Sequence, residues 1–235
     1  MTKNDLLNQA RKEVLVNKNY KKAVEILNSI KEIEDIEIFY NTLGLAYLES
    51  GEYGKAAEIY KQSGKKYPAG FCELLSGNEE AAKKLWESAP DSSPCRWGKC
   101  VLDFIKLRKG PVPTYLQIRN HLETDLGYFI QADKLRYAEN LMKNDTVFIS
   151  VNLESYKLIG RVLLNFGFMN MAKKYFIKSL GVVPDDAESY YYLGQYYYKI
   201  GAYGDSKSAI EKSLAYNQSH TPSRKLLGKL ELKLR

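Results

Sequence analysis

The stretch AESYYYLGQYYYKIGAYGDSKSAIEKSLAYNQSH, residues 187–220, decides the fold of this chain. The 34 residues before it, 153–186, carry the same pattern, since Gly160 and Gly167 stand 34 positions before Gly194 and Gly201. A fixed period of this length indicates a repeat architecture, in which each unit stacks on its neighbours to bury its apolar face. The sequence therefore predicts a row of similar units.

Each unit is predicted to be a pair of antiparallel helices. The apolar positions of the first helix follow the spacing i, i+3, i+4 and i+7, namely Tyr190, Leu193, Gly194 and Tyr197. Glycine destabilises an isolated helix, so Gly194 indicates a place where a neighbouring helix comes close. Gly201 is typical of a helix C-terminus, and Tyr203 opens the second helix.

These residues resemble the tetratricopeptide repeat, whose pattern is W-x2-L-G-x2-Y, then A-x3-F, then P. Three segments match it: 37–70, 153–186 and 187–220. The first-helix matches in the two other segments are Tyr40, Leu43, Gly44 and Tyr47, and Tyr156, Ile159, Gly160 and Leu163. The second-helix matches are Ala56 and Tyr60, closed by Pro68, and Ala172 and Phe176, closed by Pro184. The resemblance implies an all-α, right-handed α-solenoid of antiparallel helix pairs over residues 1–235.

The remaining segments match less well. Residues 4–36 are predicted to be a degenerate first repeat, in which Arg11 replaces the packing glycine. Residues 71–152 are predicted to be an irregular helical middle of degenerate repeats, because 82 residues do not divide into units of 34. Phe71–Gly77 is too short for a full first helix, whereas Ala82 and Trp86 fit a second one. Residues 221–235 are predicted to be a capping helix.

Composition limits the cellular setting. The first residues lead into an amphipathic helix without an apolar leader, and no run approaches the 18 apolar residues of a membrane span, so we expect a cytoplasmic protein without a membrane partner. Three cysteines without a repeated CxxC favour reduced thiols over disulfides or zinc. The net charge is +7, but +4 of it lies in residues 221–235.

Catalytic chemistry has little support in the sequence. His121 and His220 are the two histidines, and neither stands at the spacing of a catalytic triad or a metal site. We therefore expect no catalytic residue, no metal ligand and no cofactor. The chain is predicted not to be an enzyme.

A binding groove is the alternative, and the resemblance supplies its positions. In tetratricopeptide-repeat proteins, the second, fifth, ninth, twelfth and thirteenth residues of each repeat face the concave groove. The positions singled out here as a peptide-binding groove are Asn41, Leu45, Lys157, Arg161, Asn165, Tyr191, Gln195 and Tyr198. Lys157 and Arg161 beside two tyrosines would form a basic pocket for an acidic side chain or a C-terminal carboxylate. The alternative is that local carboxylates such as Glu154 and Glu188 neutralise these cations.

Three functions remain open. The favoured one is a non-enzymatic protein–protein interaction scaffold or adaptor that binds a peptide or protein segment in the groove. The second is a nucleic-acid-associated helical-repeat protein that uses its basic C-terminal helix, although most aromatic residues are already used in packing, which disfavours nucleic acid. The third is a self-associating regulatory subunit.

Overall fold

The computed structural model describes residues 2–30 and 35–234, and within them the chain forms fifteen α-helices and no β-strand. The predicted all-α fold is confirmed. The chain divides into two compact units, residues 1–111 and 112–235. The predicted right-handed superhelical course of the whole chain stays a prediction.

Unit 1 is a series of helices in which each one packs on the next. Their bounds are α1 Lys3–Lys12, α2 Tyr20–Asn28, α3 Ile36–Glu49, α4 Tyr53–Gln62, α5 Lys66–Leu75, α6 Glu79–Glu87 and α7 Ser93–Ile105. Helix α1 also touches α3, and α5 touches α7. This pattern, in which a helix contacts its successor and the next helix but one, is typical of stacked helix pairs.

Unit 2 follows the same plan after a less regular start. Its helices are α8 Tyr115–Gln131, α9 Leu135–Met142, α10 Asp145–Val151, α11 Ser155–Asn165, α12 Met169–Val182, α13 Ala187–Lys199, α14 Tyr203–Tyr216 and α15 Thr221–Lys233. From α11 onward each helix packs on the next, and α11, α13 and α15 also contact one another in order. Helix α8 packs on α9 and on α11, with the short α10 between them in sequence.

A close contact between the two helices of a pair recurs at the predicted glycines. A Cβ atom built on Gly44 would lie 2.7 Å from the ring of Tyr60, and one on Gly160 would lie 2.6 Å from the ring of Phe176. On Gly194 it would lie 2.6 Å from Cδ1 of Ile210. Real Cβ atoms do not approach other atoms this closely, so only glycine fits. The predicted role of these glycines is confirmed.

The same contact appears at an unpredicted place in unit 1. Gly70 of α5 and Trp86 of α6 stand 16 positions apart, as Gly44 and Tyr60 do, and a Cβ on Gly70 would overlap the indole of Trp86. A Cβ on Gly98 of α7 would lie 2.5 Å from Cδ2 and Cε2 of the same indole. The repeat of α5 and α6 therefore begins 26 rather than 34 positions after the preceding one, since 70 − 44 = 26.

Two sequence expectations about this region are wrong. Helix α5 begins at Lys66, so the predicted boundary between residues 70 and 71 falls inside a helix. Pro68 does not close the preceding repeat but lies in the first turn of α5, where the missing N–H of proline has no helical partner to lose. The helix therefore has ten residues and is not too short for its role.

The first repeat differs from the others by one inserted residue. Ala10 is fully buried and Arg11 is exposed, so Ala10, not Arg11, takes the packing position. A π-helical turn, Glu13–Asn17, continues α1 and accommodates one additional residue. The buried Ala23 of the second helix therefore stands 13 positions after Ala10, whereas Ala56 stands 12 positions after Gly44. Residues 31–34 of the predicted repeat 4–36 lie outside the described residues.

Buried hydroxyl groups join successive pairs in unit 2 with the same 34-residue period. Ser189 Oγ of α13 lies 2.9 Å from Ser179 Oγ of α12. The corresponding oxygens one repeat later, in Ser223 of α15 and Ser213 of α14, lie 2.7 Å apart. Helix α15 thus docks on α14 as α13 docks on α12, which makes α15 equivalent to the first helix of a further repeat.

Candidate functional site

The predicted groove residues lie on first helices in both units. Asn41 and Leu45 lie on α3 in unit 1. The six others lie on α11 and α13 in unit 2, and they are Lys157, Arg161, Asn165, Tyr191, Gln195 and Tyr198. Each unit presents its own candidate surface.

The unit 1 surface is a mainly apolar cleft of about 200 Å³ between α1 with its π-helical turn and α3. The lining residues are Arg11, Val14, Leu15, Ile38, Asn41, Thr42 and Leu45. Within the π-helical turn, Glu13 forms an ion pair with Lys22 at 2.7 Å and accepts a hydrogen bond from Asn17 at 3.0 Å. Leu15 of the same turn lines the cleft and is 61% exposed. The predicted Asn41 and Leu45 are therefore brought together in one cleft.

Lys157 does not form the expected open basic pocket. Its side chain is 7% exposed, and Nζ lies 2.8 Å from Glu188 Oε2, 3.2 Å from Asp186 Oδ2 and 3.4 Å from Glu154 Oε1. Burial works to lower the pKa of Lys157, but the hydrogen bond that Lys157 donates to Glu188 and the charges of the three carboxylates outweigh it and raise the pKa. Lys157 is therefore a neutralised cation that joins α11 to the start of α13.

Arg161 is also engaged within unit 2. Its Nε lies 3.3 Å from Glu123 Oε1 of α8, and its guanidinium lies 5.3 Å from the ring centre of Tyr192. Burial raises the pKa of the Glu123 carboxyl, the charge of Arg161 opposes that shift, and the charge of Glu188 adds to it. Arg161 is one-third exposed, so it can still reach a ligand.

Two further predicted residues lie apart from Lys157. Asn165 is exposed near the end of α11. Tyr198 is half-buried, and its ring centre lies 5.5 Å from that of Tyr203 on the paired helix α14. The expected pocket of two cations walled by Tyr191 and Tyr198 is thus not what the structure presents around Lys157.

The open basic cleft of unit 2 lies one repeat further along, between α13 and α15. It measures about 380 Å³, and its lining residues are Tyr191, Gln195, Thr221, Pro222, Lys225, Leu226 and Lys229. Gln195 Nε2 donates to Tyr191 Oη at 2.6 Å, which fixes both polar ends in the cleft. Lys225 and Lys229 are exposed.

Lys225 and Lys229 were not among the predicted groove residues, although they belong to the basic C-terminal helix of the nucleic-acid alternative. They stand 34 positions after Tyr191 and Gln195, so they occupy the same two repeat positions on α15. The predicted groove ended with α13 because residues 221–235 were interpreted as a capping helix and not as the first helix of a repeat. Once α15 is a first helix, the groove positions continue onto it.

A comparison with known protein families supports the repeat pattern independently of the structure. Residues 39–63, which span most of α3 and all of α4, match the family model described as Tetratricopeptide repeat. The helix pair of α3 and α4 is therefore a tetratricopeptide repeat. No curated protein matches the chain.

Solved structures similar to this chain share little sequence with it. A chain of the Cut9–Hcn1 hetero-tetramer of APC/C is 14% identical, with a TM-score of 0.40 over 96% of this chain and 42% of its own length. The C-terminal part of a TPR repeat-containing protein from Cytophaga hutchinsonii is 19% identical, with a TM-score of 0.35 over 93% and 98%. Yeast Tom70 is 15% identical, with a TM-score of 0.33 over 97% and 66%. The chain thus spans less than half of the Cut9–Hcn1 chain.

Among residues 2–30 and 35–234, no three His, Cys, Asp or Glu side chains stand together in a way that could hold a metal ion. His220 Nδ1 lies 2.7 Å from Ser223 Oγ, but that serine is fully buried and cannot meet a substrate. In the same described residues, no helix combines the length and hydrophobicity of a bilayer span.

Proposed function

We propose that this chain is a non-enzymatic scaffold or adaptor that binds a peptide or protein segment on the faces of its first helices. The observation that carries the proposal is the cleft of unit 2, where Tyr191, Gln195, Lys225 and Lys229 occupy the same two positions of successive repeats. Phenol, amide and ammonium groups offer donors spaced along an open surface, which suits an extended or helical segment.

The charge of the unit 2 cleft favours an acidic segment. Lys225 and Lys229 are one helical turn apart and exposed, and no carboxylate lines the cleft. A carboxylate of the partner would accept charge-assisted hydrogen bonds from the ammonium groups and could also accept from Tyr191. In this proposal the ionic role moves from Lys157 to Lys225 and Lys229, whereas in unit 1 Leu45 contributes an apolar contact and Asn41 a hydrogen-bonding amide.

The test is a binding screen with synthetic dodecapeptides of acidic, neutral and basic composition, read by fluorescence anisotropy. We expect acidic peptides to bind, and Lys225→Glu combined with Lys229→Glu to weaken that binding at least tenfold. Lys174→Glu is the matched control, because Lys174 is exposed on α12 away from the cleft. Equal affinity of the double variant and the control would remove the cleft from the proposal.

A second candidate function follows from the same lysines. Lys225, Lys229 and Lys233 recur every fourth residue on α15, and all three are exposed, so they could contact the phosphates of a nucleic acid. Phosphate binding weakens steeply with salt. Retention on heparin that survives 0.3 M salt and disappears in the double variant would favour this function over the peptide scaffold.

The proposal also includes a cytoplasmic location, which the three buried free thiols support.

A further inference from the structure

Thr221 presents an exposed hydroxyl group at the edge of the unit 2 cleft. It opens α15 and lines the cleft together with Tyr191 and Lys225. Within residues 2–30 and 35–234, the hydroxyl makes one hydrogen bond, to the Ser219 carbonyl at 3.5 Å, which is long for a bond between two oxygens. The oxygen is therefore available to an enzyme.

The residue after Thr221 makes the surrounding backbone easy to open. Pro222 disfavours a helical backbone at the residue before it, so the first turn of α15 is held weakly at Thr221. The N-cap residue His220 makes no capping hydrogen bond with its side chain, and residues 217–219 before it are exposed. The segment around Thr221 can therefore adopt the extended form in which a protein kinase takes its substrate.

The preceding repeat shows what negative charge does at this place. Asp186 and Glu188 at the start of α13 lie 3.2 Å and 2.8 Å from Lys157 Nζ on α11. One repeat later, Tyr191 takes the place of Lys157, since it stands 34 positions further on, and Thr221 lies between the two positions that correspond to the carboxylates. A negative group on Thr221 therefore comes within reach of the Tyr191 phenol. Burial raises the pKa of Tyr191, so the phenol keeps its proton and can donate a hydrogen bond.

Lys225 gives such a negative group a second partner. It stands four positions after Thr221, which is one helical turn, and both residues line the cleft. A phosphate carries a charge of about −1.5 to −2 at pH 7 and three acceptor oxygens, so it can bind Lys225 and Tyr191 together. It also offsets most of the charge that Lys225 and Lys229 present to an acidic segment.

We propose that Thr221 is a phosphorylation site for a proline-directed serine/threonine kinase, and that its phosphate closes the unit 2 cleft to acidic segments. Such kinases select proline directly after the acceptor residue, which is Pro222 here, and favour a basic residue shortly after it, which is the exposed Arg224. The inference rests on the proposed function, because it adds regulation to the same cleft.

The reaction uses ATP as the phosphoryl donor. The Thr221 hydroxyl oxygen forms a bond to the γ-phosphorus, and the bond between that phosphorus and the β,γ-bridging oxygen breaks. ADP leaves with the electron pair of the broken bond, and the hydroxyl proton passes to the catalytic carboxylate of the kinase. The product is a phosphothreonine beside Tyr191 and Lys225.

The experiment treats the full chain with a purified proline-directed kinase and ATP, and mass spectrometry locates the phosphate. Ser93 also precedes a proline and is exposed, so every sample carries Ser93→Ala. We expect one phosphate, at Thr221, and none in the Thr221→Val control. The phosphorylated chain should bind the acidic dodecapeptides at least tenfold more weakly than the same chain before treatment.

A ³¹P NMR titration of the phosphorylated chain gives a readout that needs no peptide. A phosphate held by Lys225 and Tyr191 should have its second pKa below the value of about 6 that an unpaired phosphate group shows. Lys225→Gln combined with Lys229→Gln should bring this pKa back toward that value, because the cations that favour the dianion are gone.

Absence of phosphate at Thr221, or unchanged peptide affinity after its attachment, would overturn the proposal. If the acidic peptides bound neither form of the chain, the proposed function would fail, and the ³¹P titration would decide the proposal by itself. A lowered pKa that the double variant restores would support a phosphate seated in the cleft. A pKa that is equal in the two chains would overturn it.

Discussion

Gly160 of α11 and Phe176 of α12 pack so closely that the ring of Phe176 occupies the space of a side chain at residue 160. A Cβ there would lie 2.6 Å from Phe176 Cε1. The phenylalanine is fully buried, so it cannot swing out to make room. The spacing of the helix pair therefore depends on the absence of one carbon atom.

Replacing that glycine should destabilise the chain. We expect Gly160→Ala to lower the free energy of unfolding by about 1–2 kcal/mol, because the clash outweighs the better helix propensity of alanine. Gly181→Ala, at an open helical position, should raise it by about 0.5–1 kcal/mol. Urea unfolding followed by circular dichroism measures both. An equal gain in the two variants would contradict the close packing at Gly160.

Loss of the Lys157 ammonium should leave Glu154, Asp186 and Glu188 without their shared partner. We expect Lys157→Ala to destabilise the chain by about 2–3 kcal/mol, less than for a fully buried pair because Glu154 and Glu188 are about half exposed. Since the pKa of Lys157 is raised, its contribution is complete below about pH 10.4 and is lost as the pH rises through the folded-state value.

The control for this prediction is Lys207→Ala. Lys207 pairs with Glu211 at 3.8 Å on the exposed surface of α14, where such a pair contributes about 0–0.5 kcal/mol. Urea midpoints of the two variants should differ accordingly. If both substitutions had the same small effect, Lys157 would not join α11 to α13.

The sequence predicted the glycine contacts because a period of 34 residues reports directly on helix pairs that stack identically. Gly160 and Gly194 stand 34 positions apart, whereas Gly44 lies outside that register and was predicted because it stands in the same motif, between Leu43 and Tyr47. The contact of Gly70 was not predicted, because its repeat begins only 26 residues after the preceding one and so departs from the period of 34. The spacing of 16 positions from the glycine to its large partner is the more robust signal, since it depends only on one helix pair.

The candidate site was harder to predict because its electrostatics depend on several helices. Position within the repeat placed Lys157 on a first helix, but Asp186, which neutralises it, stands 29 residues later at the cap of α13. Such a partner is visible only in three dimensions. Lys225 and Lys229, in contrast, could have been found by carrying the 34-residue register one helix further.

The stability of the chain should fall in mild acid because of His121 on α8. Burial lowers the pKa of His121, so the folded chain takes up its proton less readily than the unfolded chain. Stability should therefore decrease as the pH falls from about 6.5 toward the lower folded-state value. His121→Gln should flatten this dependence between pH 7 and pH 5, measured by urea unfolding. Parallel curves for the two proteins would contradict the prediction.

Thiol reagents should react slowly with the native chain, since Cys72, Cys95 and Cys100 are all buried and free. Burial, together with the nearby charge of Glu73, raises the pKa of the Cys72 thiol to about 12. Burial and the charge of Asp103 raise that of Cys100 to about 11. Only the thiolate reacts, so these shifts lower its fraction at neutral pH by about 100-fold or more, in addition to the loss of access.

Labelling with a chromogenic disulfide at pH 7.5 measures this protection. We expect three equivalents to react promptly in 6 M urea and less than one in the native chain over the same time. Gly160→Ala provides the informative contrast: it loosens unit 2, whereas the cysteines lie in unit 1. If that variant left the labelling rate unchanged despite its lower stability, the cysteines would report on opening within unit 1 alone. Prompt reaction of the native, unsubstituted chain would mean that α5 and α7 open far more often than their burial implies.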